Sequence, residues 1–410
     1  MLKSNIAWMK KNVPSDLKVW KGMIQDIDWS QVAAKTKLSL QRDKDRITAE
    51  FKEFAAMDTS AKIDWLMNGD RHLGYLYKKD AIAFARREWK GLKSVGYDFV
   101  GWLKIWGGML NMVMKDPMSI MLAVFEYHWF ASYLATPAVV DRSVFGRRGK
   151  LLQADFDMWV AITHWAEDLI ANLIMADAKI GGNQKINKRI IMFDEMTMAQ
   201  MMAGFPNLLG IPYQMIPVFM VSEMDQLTLI PYIDAIESYG LPSDTCPLPT
   251  AECGCAVKDE YPMCGQGFIA SSMPCDGSVM ATSFQDRRFS KFMPSYPLCM
   301  PVRYDDEDTT EMAAADMKDC IHWVEGLTGE TWNWDTYFAT MEKMNECTRL
   351  EMEKWEINKT HYPQLVGSSF ELFRKWNYEM DGGLFPEGLK TQRKICKTMM
   401  ETYEKKLPAY

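Results

Sequence analysis

The first 245 residues of this 410-residue chain contain no cysteine, although the chain has nine. Five of the nine fall within thirty positions, from Cys246 to Cys275, in the stretch CPLPTAECGCAVKDEYPMCGQGFIASSMPC. Isolated cysteines are common in protein cores, where they pack as small apolar residues. Core packing alone does not readily explain five cysteines in one short segment. Their crowding therefore predicts metal or redox chemistry in that segment.

An excess of positive charge is also absent. The formal net charge is −7, which argues against a general binder of nucleic acid or of anionic membranes. Met1–Pro14 carries three lysines but no continuous apolar run of the kind found in a secretory signal peptide. We therefore expect a cytoplasmic protein with reduced thiols rather than a disulfide framework.

A long apolar run free of charge is the third absence. Tyr97–Val140 is rich in Trp, Met, Leu and Phe, but charged and helix-breaking residues interrupt it at Lys104, Lys115–Pro117, Glu126 and His128. No stretch of about twenty apolar residues remains to span a bilayer. We predict a buried helical hairpin or a face covered by a partner chain, and we expect no membrane association. A helix lying on a membrane surface is the alternative.

The order of predicted elements indicates an α/β fold. Residues 1–185 have helical periodicity and could serve as a subunit-docking module. Residues 186–330 alternate short apolar runs with helical segments, which predicts βαβ units and a cluster-binding domain with a parallel three-layer sheet. Residues 331–410 are again helical. The sheet domain is thus preceded by a helical region and followed by helices.

Short β-branched or apolar runs mark the strands, namely KINKRIIMF, GFIASSMP and YPLCMPVRY. Ile211–Met220 is an irregular apolar stretch broken by proline. The helical pattern of residues 156–182 predicts a helix that stops at Gly181–Gly182, and Gly240 should close another helix. The segment with five cysteines is predicted to be a loop.

The two outer cysteines of this loop have the most informative places. Cys275 directly follows a predicted strand and precedes a helix, and in a parallel sheet ligands collect beyond the carboxyl ends of strands. The N-terminus of the next helix favours negative charge, which suits an anionic thiolate cluster. Cys246 comes just after the helix that Gly240 closes, and Pro247 and Pro249 stiffen the chain beside it.

Three interpretations of the cysteine-rich segment remain open from the residues alone. An iron–sulfur cluster tolerates irregular ligand spacing. A structural zinc site usually shows two paired short spacings, whereas only Cys253 and Cys255 form a close pair here. Buried, inert thiols are the third interpretation. For the four remaining cysteines, each alone in a strand or helix pattern, buried inert thiols are predicted: Cys299, Cys320, Cys347 and Cys396.

Four runs in a fixed order resemble the 2-hydroxyacyl-CoA dehydratase and benzoyl-CoA reductase subunit family. They are MFDEMTMAQMMAGFPNLLGIPYQMIP, AIESYGLPSDTCPLPTAECG, FIASSMPCDGS and YPLCMPVRYDDE, within about residues 188–385. The resemblance implies a [4Fe-4S] cluster at the carboxyl edge of the sheet, in a cleft that admits an acyl-CoA thioester. It implies Cys246 and Cys275 as iron ligands.

The resemblance also implies partners. The family uses a homologous or complementary subunit together with an ATP-dependent activator, or another low-potential electron donor. The chain has no GxxxxGK(S/T) motif, as expected if ATP is handled elsewhere.

The chain departs from the family pattern in two places. Family members have a second α/β half that supplies a third cysteine, which this chain replaces with helices. Cys253, Cys255 or Cys264 could supply the missing thiolate, or a partner chain could. At the end of the first strand, Asp194 and Glu195 stand where several members have Ser or Thr, and they could handle a proton. A carboxylate between a strand and a helix is also a common helix cap.

We therefore expect an iron–sulfur subunit of a CoA-thioester radical enzyme, either a 2-hydroxyacyl-CoA dehydratase or an aryl-CoA reductase of anaerobic metabolism, in a hetero-oligomer. One alternative is a non-catalytic iron–sulfur subunit that transfers electrons or acts as a scaffold. Another is an interaction protein whose fold is stabilised by a bound zinc ion.

Overall fold

The computed structural model describes most of the chain, and statements about its contacts refer to these residues: 45–46, 48–68, 92–135, 150–180, 189–194, 199–219, 221–222, 226–271, 275–289, 293–299, 301, 306–364 and 385–407. No helix in these ranges is both long enough and apolar enough to cross a membrane.

A helical region precedes the sheet, as predicted. Its helices are α1 (Thr59–Asn68), α2 (Leu92–Lys115), α3 (Pro117–Glu126), α4 (Phe130–Leu134) and α5 (Lys150–Ala176). The break between α2 and α3 has a local cause. Asp116 caps α3 by accepting the Ser119 N–H, and Pro117 fills the first helical position, where its missing N–H costs nothing. The apolar segment 97–140 thus comprises most of α2 together with α3 and α4, as far as Ala135; α3 and α4 are largely buried, whereas α2 has an exposed apolar face.

A four-stranded parallel sheet lies at the centre and confirms the α/β prediction. Its strands are β1 (Arg189–Phe193), β2 (Leu208–Pro212), β3 (Gly267–Ser271) and β4 (Ser295–Leu298), in the order β2-β1-β3-β4. Strand β2 is not among the strands predicted from sequence, and it ends at Pro212, inside the irregular stretch Ile211–Met220. Its proline is tolerated because β2 is an edge strand, where a missing N–H disrupts the ladder least.

Both faces of the sheet are covered, so the domain has three layers. Alternate side chains of each strand enter two separate cores, as expected for the strand period of two. On β1, Ile190 and Met192 pack with the N-terminal helices, whereas Ile191 and Phe193 pack on the opposite face against the C-terminal half of α9 (Glu307–Thr328). The helical region is therefore one of the layers of the fold.

The prediction of a loop for the cysteine-rich segment is wrong. Residues Pro247–Val257 form helix α7, which follows α6 (Ile230–Glu237) and precedes α8 (Asp276–Phe289). Pro247 and Pro249 lie in the first turn of α7, where backbone N–H groups have no intrahelical partner in any case.

Helices end the chain, as predicted: α10 (Trp334–Asn358) and α11 (Pro386–Glu404) follow α9. Gly240 has φ of 97° and closes the segment after α6, which confirms its predicted role. Helix α5 ends at Ala176, before the predicted stop at Gly181–Gly182, which lies outside the described residues.

Ion pairs and hydrogen bonds connect the helical region to residues 259–263, which precede β3. Asp177, directly after α5, accepts the Met263 N–H at 2.8 Å and a hydrogen bond from the Tyr127 hydroxyl. The Lys179 ammonium lies 2.9 Å from Asp259 Oδ1 and 3.5 Å from Glu126 Oε1. Burial raises the pKa of Asp177, whereas these hydrogen bonds and Lys179 lower it.

Glu167 is a buried carboxyl between α2 and α5. It is 1% exposed, and neither carboxylate oxygen has a hydrogen-bond partner among the described residues. Gly108 of α2 leaves room for it, since a Cβ there would overlap Glu167 Oε2 and the His164 ring. Desolvation raises the pKa of Glu167 to about 8. The carboxyl is therefore mostly protonated at neutral pH.

Replacement of Glu167 by Gln should increase the free energy of unfolding at pH 8 and change it much less at pH 5. The folded state holds the proton up to a pKa of about 8, whereas the unfolded state releases it near the ordinary value. Stability is therefore lost as pH rises between these two values. Urea unfolding from pH 5 to 8.5 measures the difference between the two proteins. The exposed Glu356→Gln variant is the control, and equal pH profiles for wild type and Glu167→Gln would contradict the assignment.

Candidate functional site

The order of the strands places a topological switch point at the carboxyl edge of the sheet, and we call the region outside the carboxyl ends of β1 and β3 the crevice. The chain passes from β1 to β2 on one side and then crosses to β3 on the other side of β1. Ligands of open α/β sheets bind outside the carboxyl ends of the strands at such a reversal. Here the reversal lies between β1 and β3.

Asp194 joins the ends of these two strands. It follows β1, is 3% exposed, and its carboxylate accepts the backbone N–H and the hydroxyl of Ser271, the latter at 2.5 Å. Its own N–H donates to the Ile269 carbonyl at 3.1 Å. Asp194 is thus held against the backbone of β3. Glu195 lies outside the described residues.

Cys275 and Cys246 hold equivalent positions at the starts of two helices. The Cys275 carbonyl accepts the Val279 N–H at 3.1 Å, and the Cys246 carbonyl accepts the Thr250 N–H at 3.3 Å, so each is the N-cap residue of its helix. Both are exposed. The Cys246 thiol makes no capping hydrogen bond, which leaves the sulfur available to a ligand.

The N-termini of α7 and α8 lie against each other. A Cβ at Gly277 would come within 2.7 Å of Pro249 Cγ, so this close approach requires glycine. The same position is 3.8 Å from Cys275 Sγ. Cys246 is one helical turn from Pro249. We call Cys246 and Cys275 the thiol pair, two exposed sulfurs at adjoining helix N-termini beside the crevice.

Helix α7 is positioned from the other side by α6. A Cβ at Gly254 would overlap the Tyr232 carbonyl of α6, so the two helices cross at backbone contact. Tyr232 is itself fixed, because its hydroxyl donates to Glu260 at 2.6 Å. The same carboxylate accepts the His128 N–H at 2.7 Å. The helical region therefore helps to set the position of α7.

The three inner cysteines of the segment are buried elsewhere. Cys253 and Cys255 lie along α7, about 9 and 12 Å from its start at Pro247 at 1.5 Å per residue. Cys264 precedes the five-residue strand β3, whose length of about 16 Å separates it from Cys275. Desolvation raises the pKa of Cys253 to about 12 and that of Cys264 well above its ordinary value.

The predictions for the four remaining cysteines have mixed outcomes. Cys320, Cys347 and Cys396 are buried, as predicted. The prediction is wrong for Cys299, which is exposed directly after β4 and donates its N–H to Asp316 at 2.6 Å. Its place after a strand could have shown this, since that is also the place of Cys275.

Within the described ranges, no group of three or more Cys, His, Asp or Glu side chains is arranged to hold a metal ion. The described part of the chain thus contributes two exposed thiols at one place. Such a pair suits soft metals or an iron–sulfur group that takes its remaining ligands from elsewhere.

Comparison with known proteins finds a family model that covers the part of the chain containing these residues. Residues 226–407 match the family model for 2-hydroxyglutaryl-CoA dehydratase, D-component. The match is consistent with the 2-hydroxyacyl-CoA dehydratase family and confirms the resemblance predicted from sequence, although it begins and ends later in the chain. It includes both members of the thiol pair and supports a dehydratase-type subunit. No curated protein matches the chain.

Replacement of Gly254 by Ala should destabilise the protein by about 1–3 kcal/mol, the usual cost of overpacking. The added methyl group must separate α6 from α7, because it meets backbone rather than a movable side chain. Gly326→Ala in α9 is the matched control, since nothing lies within 4 Å of a Cβ there, and it should be neutral or stabilising. Urea unfolding measures both. Equal effects of the two substitutions would contradict the close crossing.

Proposed function

We propose that this protein is an iron–sulfur subunit of a CoA-thioester radical enzyme of the 2-hydroxyacyl-CoA dehydratase type, with Cys246 and Cys275 as ligands of a [4Fe-4S] cluster. The observation that carries the proposal is the thiol pair. Its two cysteines are exposed N-cap residues of adjoining helices, beside the crevice of the sheet, within the range that matches the family.

The residues present fit a cluster on chemical grounds. Thiolates are the usual ligands of iron–sulfur clusters, and a cluster with its thiolates is anionic. The first turns of α7 and α8 carry backbone N–H groups without intrahelical partners, which favour negative charge in front of them. Asp276 is the one acidic residue in the first turn of α8, and no acidic residue lies in that of α7. When bound, the cluster supplies single electrons of low potential to the thioester.

The remaining ligands are proposed to come from outside the cysteine-rich segment. A thiol must lose its proton to bind iron, and burial opposes this at Cys253 and Cys264. Cys255 is fully buried farther along α7. A complementary subunit is therefore the preferred source of the missing thiolate, and the acyl-CoA thioester would bind in the crevice. An ATP-dependent activator would deliver the electron.

A non-catalytic subunit that transfers electrons is the second candidate. It is favoured by the limited ligand set, since among the described residues no group of three or more Cys, His, Asp or Glu side chains is arranged to hold a metal ion. Both candidates predict iron in the protein. Turnover of an acyl-CoA by the assembled complex distinguishes them, because only the catalytic subunit supports dehydration or ring reduction. A zinc staple would instead require four protein ligands and would give no visible absorption.

Cys246→Ala or Cys275→Ala should remove most of the iron from anaerobically purified protein, because loss of one thiolate opens the cluster to solvent and oxidant. Iron analysis and electron paramagnetic resonance measure this loss. Cys347→Ala is the buried control and Cys299→Ala the exposed control, and both should keep the iron content of wild type. Full iron content in Cys275→Ala, or loss of iron in Cys299→Ala, would show that the ligand set is wrong.

One face of α2 is proposed to contact the complementary subunit. Its exposed apolar side chains are Phe99, Val100, Trp102, Leu103, Leu110 and Met114. An apolar surface of this kind on a soluble protein usually marks an interaction site. The D-component is by its description one part of a larger enzyme, which gives this surface a natural occupant.

The chain expressed alone should self-associate through this surface, and Leu103→Glu with Leu110→Glu should reduce the self-association. Charged side chains are depleted from interface cores because their desolvation is costly. Size-exclusion chromatography with light scattering gives the mass. Met352→Glu on α10, another exposed apolar position, is the control and should not change it. A wild-type chain that is monomeric without detergent would argue against a partner-facing α2.

A further inference from the structure

The carboxylate of Asp194 contacts the strand that leads to Cys275. It accepts both the backbone N–H and the hydroxyl of Ser271, the last residue of β3. With 3% of its surface exposed, Asp194 does not face an open cleft. Its geometry is that of a group that holds a strand end in place.

These hydrogen bonds lie where the backbone pairing of the two strands stops. The register between β1 and β3 ends at Phe193 and Ile269. Asp194 extends the connection by its N–H bond to Ile269 and by its carboxylate bonds to Ser271. The carboxyl end of β3 is therefore attached to β1 by a side chain that follows β1 directly.

Ser271 is close enough to Cys275 to limit where the thiol can lie. Three residues lie between them, and the four steps of chain from Ser271 to Cys275 span at most about 14 Å when fully extended. Cys275 is the N-cap residue of α8, and Gly277 lies against Pro249. The position of Ser271 therefore restricts where the first turn of α8 can lie.

We propose that Asp194 is a positioning residue that holds the end of β3 so that the Cys275 thiol faces the Cys246 thiol. This role replaces direct proton transfer by Asp194 as the interpretation of its carboxylate. Only the identity of the bound group rests on the proposed function; the placement of the two thiols does not.

The number of hydrogen bonds that the Asp194 oxygen accepts matters to this role. A carboxylate oxygen can accept two hydrogen bonds at once, as Oδ2 does from Ser271. An amide at this position places a donor in the same space, and if it faces Ser271 one N–H group is left without an acceptor. An unsatisfied buried group costs about 1–3 kcal/mol, which movement of the strand end can relieve.

The test is cross-linking of the thiol pair in reduced, cluster-free protein of full length. A short bis-maleimide reagent should join Cys246 to Cys275 in wild type, as seen by mass spectrometry of the linked peptides. All variants carry Cys299→Ser, so that the third exposed thiol does not compete. Asp194→Asn should lower the yield several-fold, and Ser271→Ala, which keeps the N–H bond, should lower it less.

Asp177→Asn is the matched control. Asp177 is also a buried carboxylate that accepts a backbone N–H and a hydroxyl, but it acts at the segment before β3. It should lower the unfolding midpoint, but it should lower the cross-linking yield less than Asp194→Asn does, because it acts at the end of β3 that is farther from Cys275.

The inference is overturned if Asp194→Asn cross-links as well as wild type, or if Asp177→Asn lowers the yield equally at matched loss of stability. Wild type that does not cross-link would overturn it too. Wild type that cross-links but binds no iron would refute the proposed function and leave the role of Asp194 intact.

Discussion

The candidate site depends on a buried ion network at the far end of β3. The Lys179 ammonium is 1% exposed and lies among Glu126, Asp259 and Asp177, which come from three parts of the chain. Asp259 is partly exposed, whereas Lys179 and Glu126 are buried, and loss of the Lys179 ammonium would remove a compensating charge from the buried Glu126 and Asp177 carboxyls. The network fixes the segment before β3, and it does so only when the helical region is packed in place. The helices that precede the sheet are therefore part of the structural support of the site.

Strand β3 connects this network to the thiol pair. All five of its residues are buried, and its neighbours β1 and β4 pair with it on both sides. A buried central strand moves as a rigid element, because interiors are close-packed. Its first end is anchored through Met263 and Asp177, and its last end through Ser271 and Asp194. The position of Cys275 thus follows from contacts at both ends of one strand.

The sequence predicted the elements whose signals are local. Strands β1 and β3 are short apolar runs, and Gly240 ends a helix by a conformation that glycine adopts readily. Helix α7 was missed because prolines occur both in loops and in first helical turns, and Cys253 and Cys255 were grouped with the outer cysteines by nearness along the chain alone. The contact between Asp194 and Ser271 joins residues 77 positions apart, and no local pattern contains such a pairing. The contact between the N-termini of α7 and α8 could not be predicted from the sequence either, because it depends on which face of each helix is buried.

Cysteine at both N-cap positions makes the two helix N-termini less stable than a better capping residue would, and this helps to interpret the site. Ser, Thr, Asp and Asn are preferred there because a side-chain oxygen accepts an N–H group of the first turn, whereas a thiol accepts weakly. Cys246 leaves the first-turn N–H groups of α7 without this side-chain acceptor. The N-terminus of α8 lies alongside and also begins at an exposed cysteine. A metal group held by thiolates carries net negative charge, which the N–H groups of two adjoining helix N-termini stabilise. The loss of a side-chain cap is therefore offset when such a thiolate-ligated group is bound, and this suits the proposed cluster.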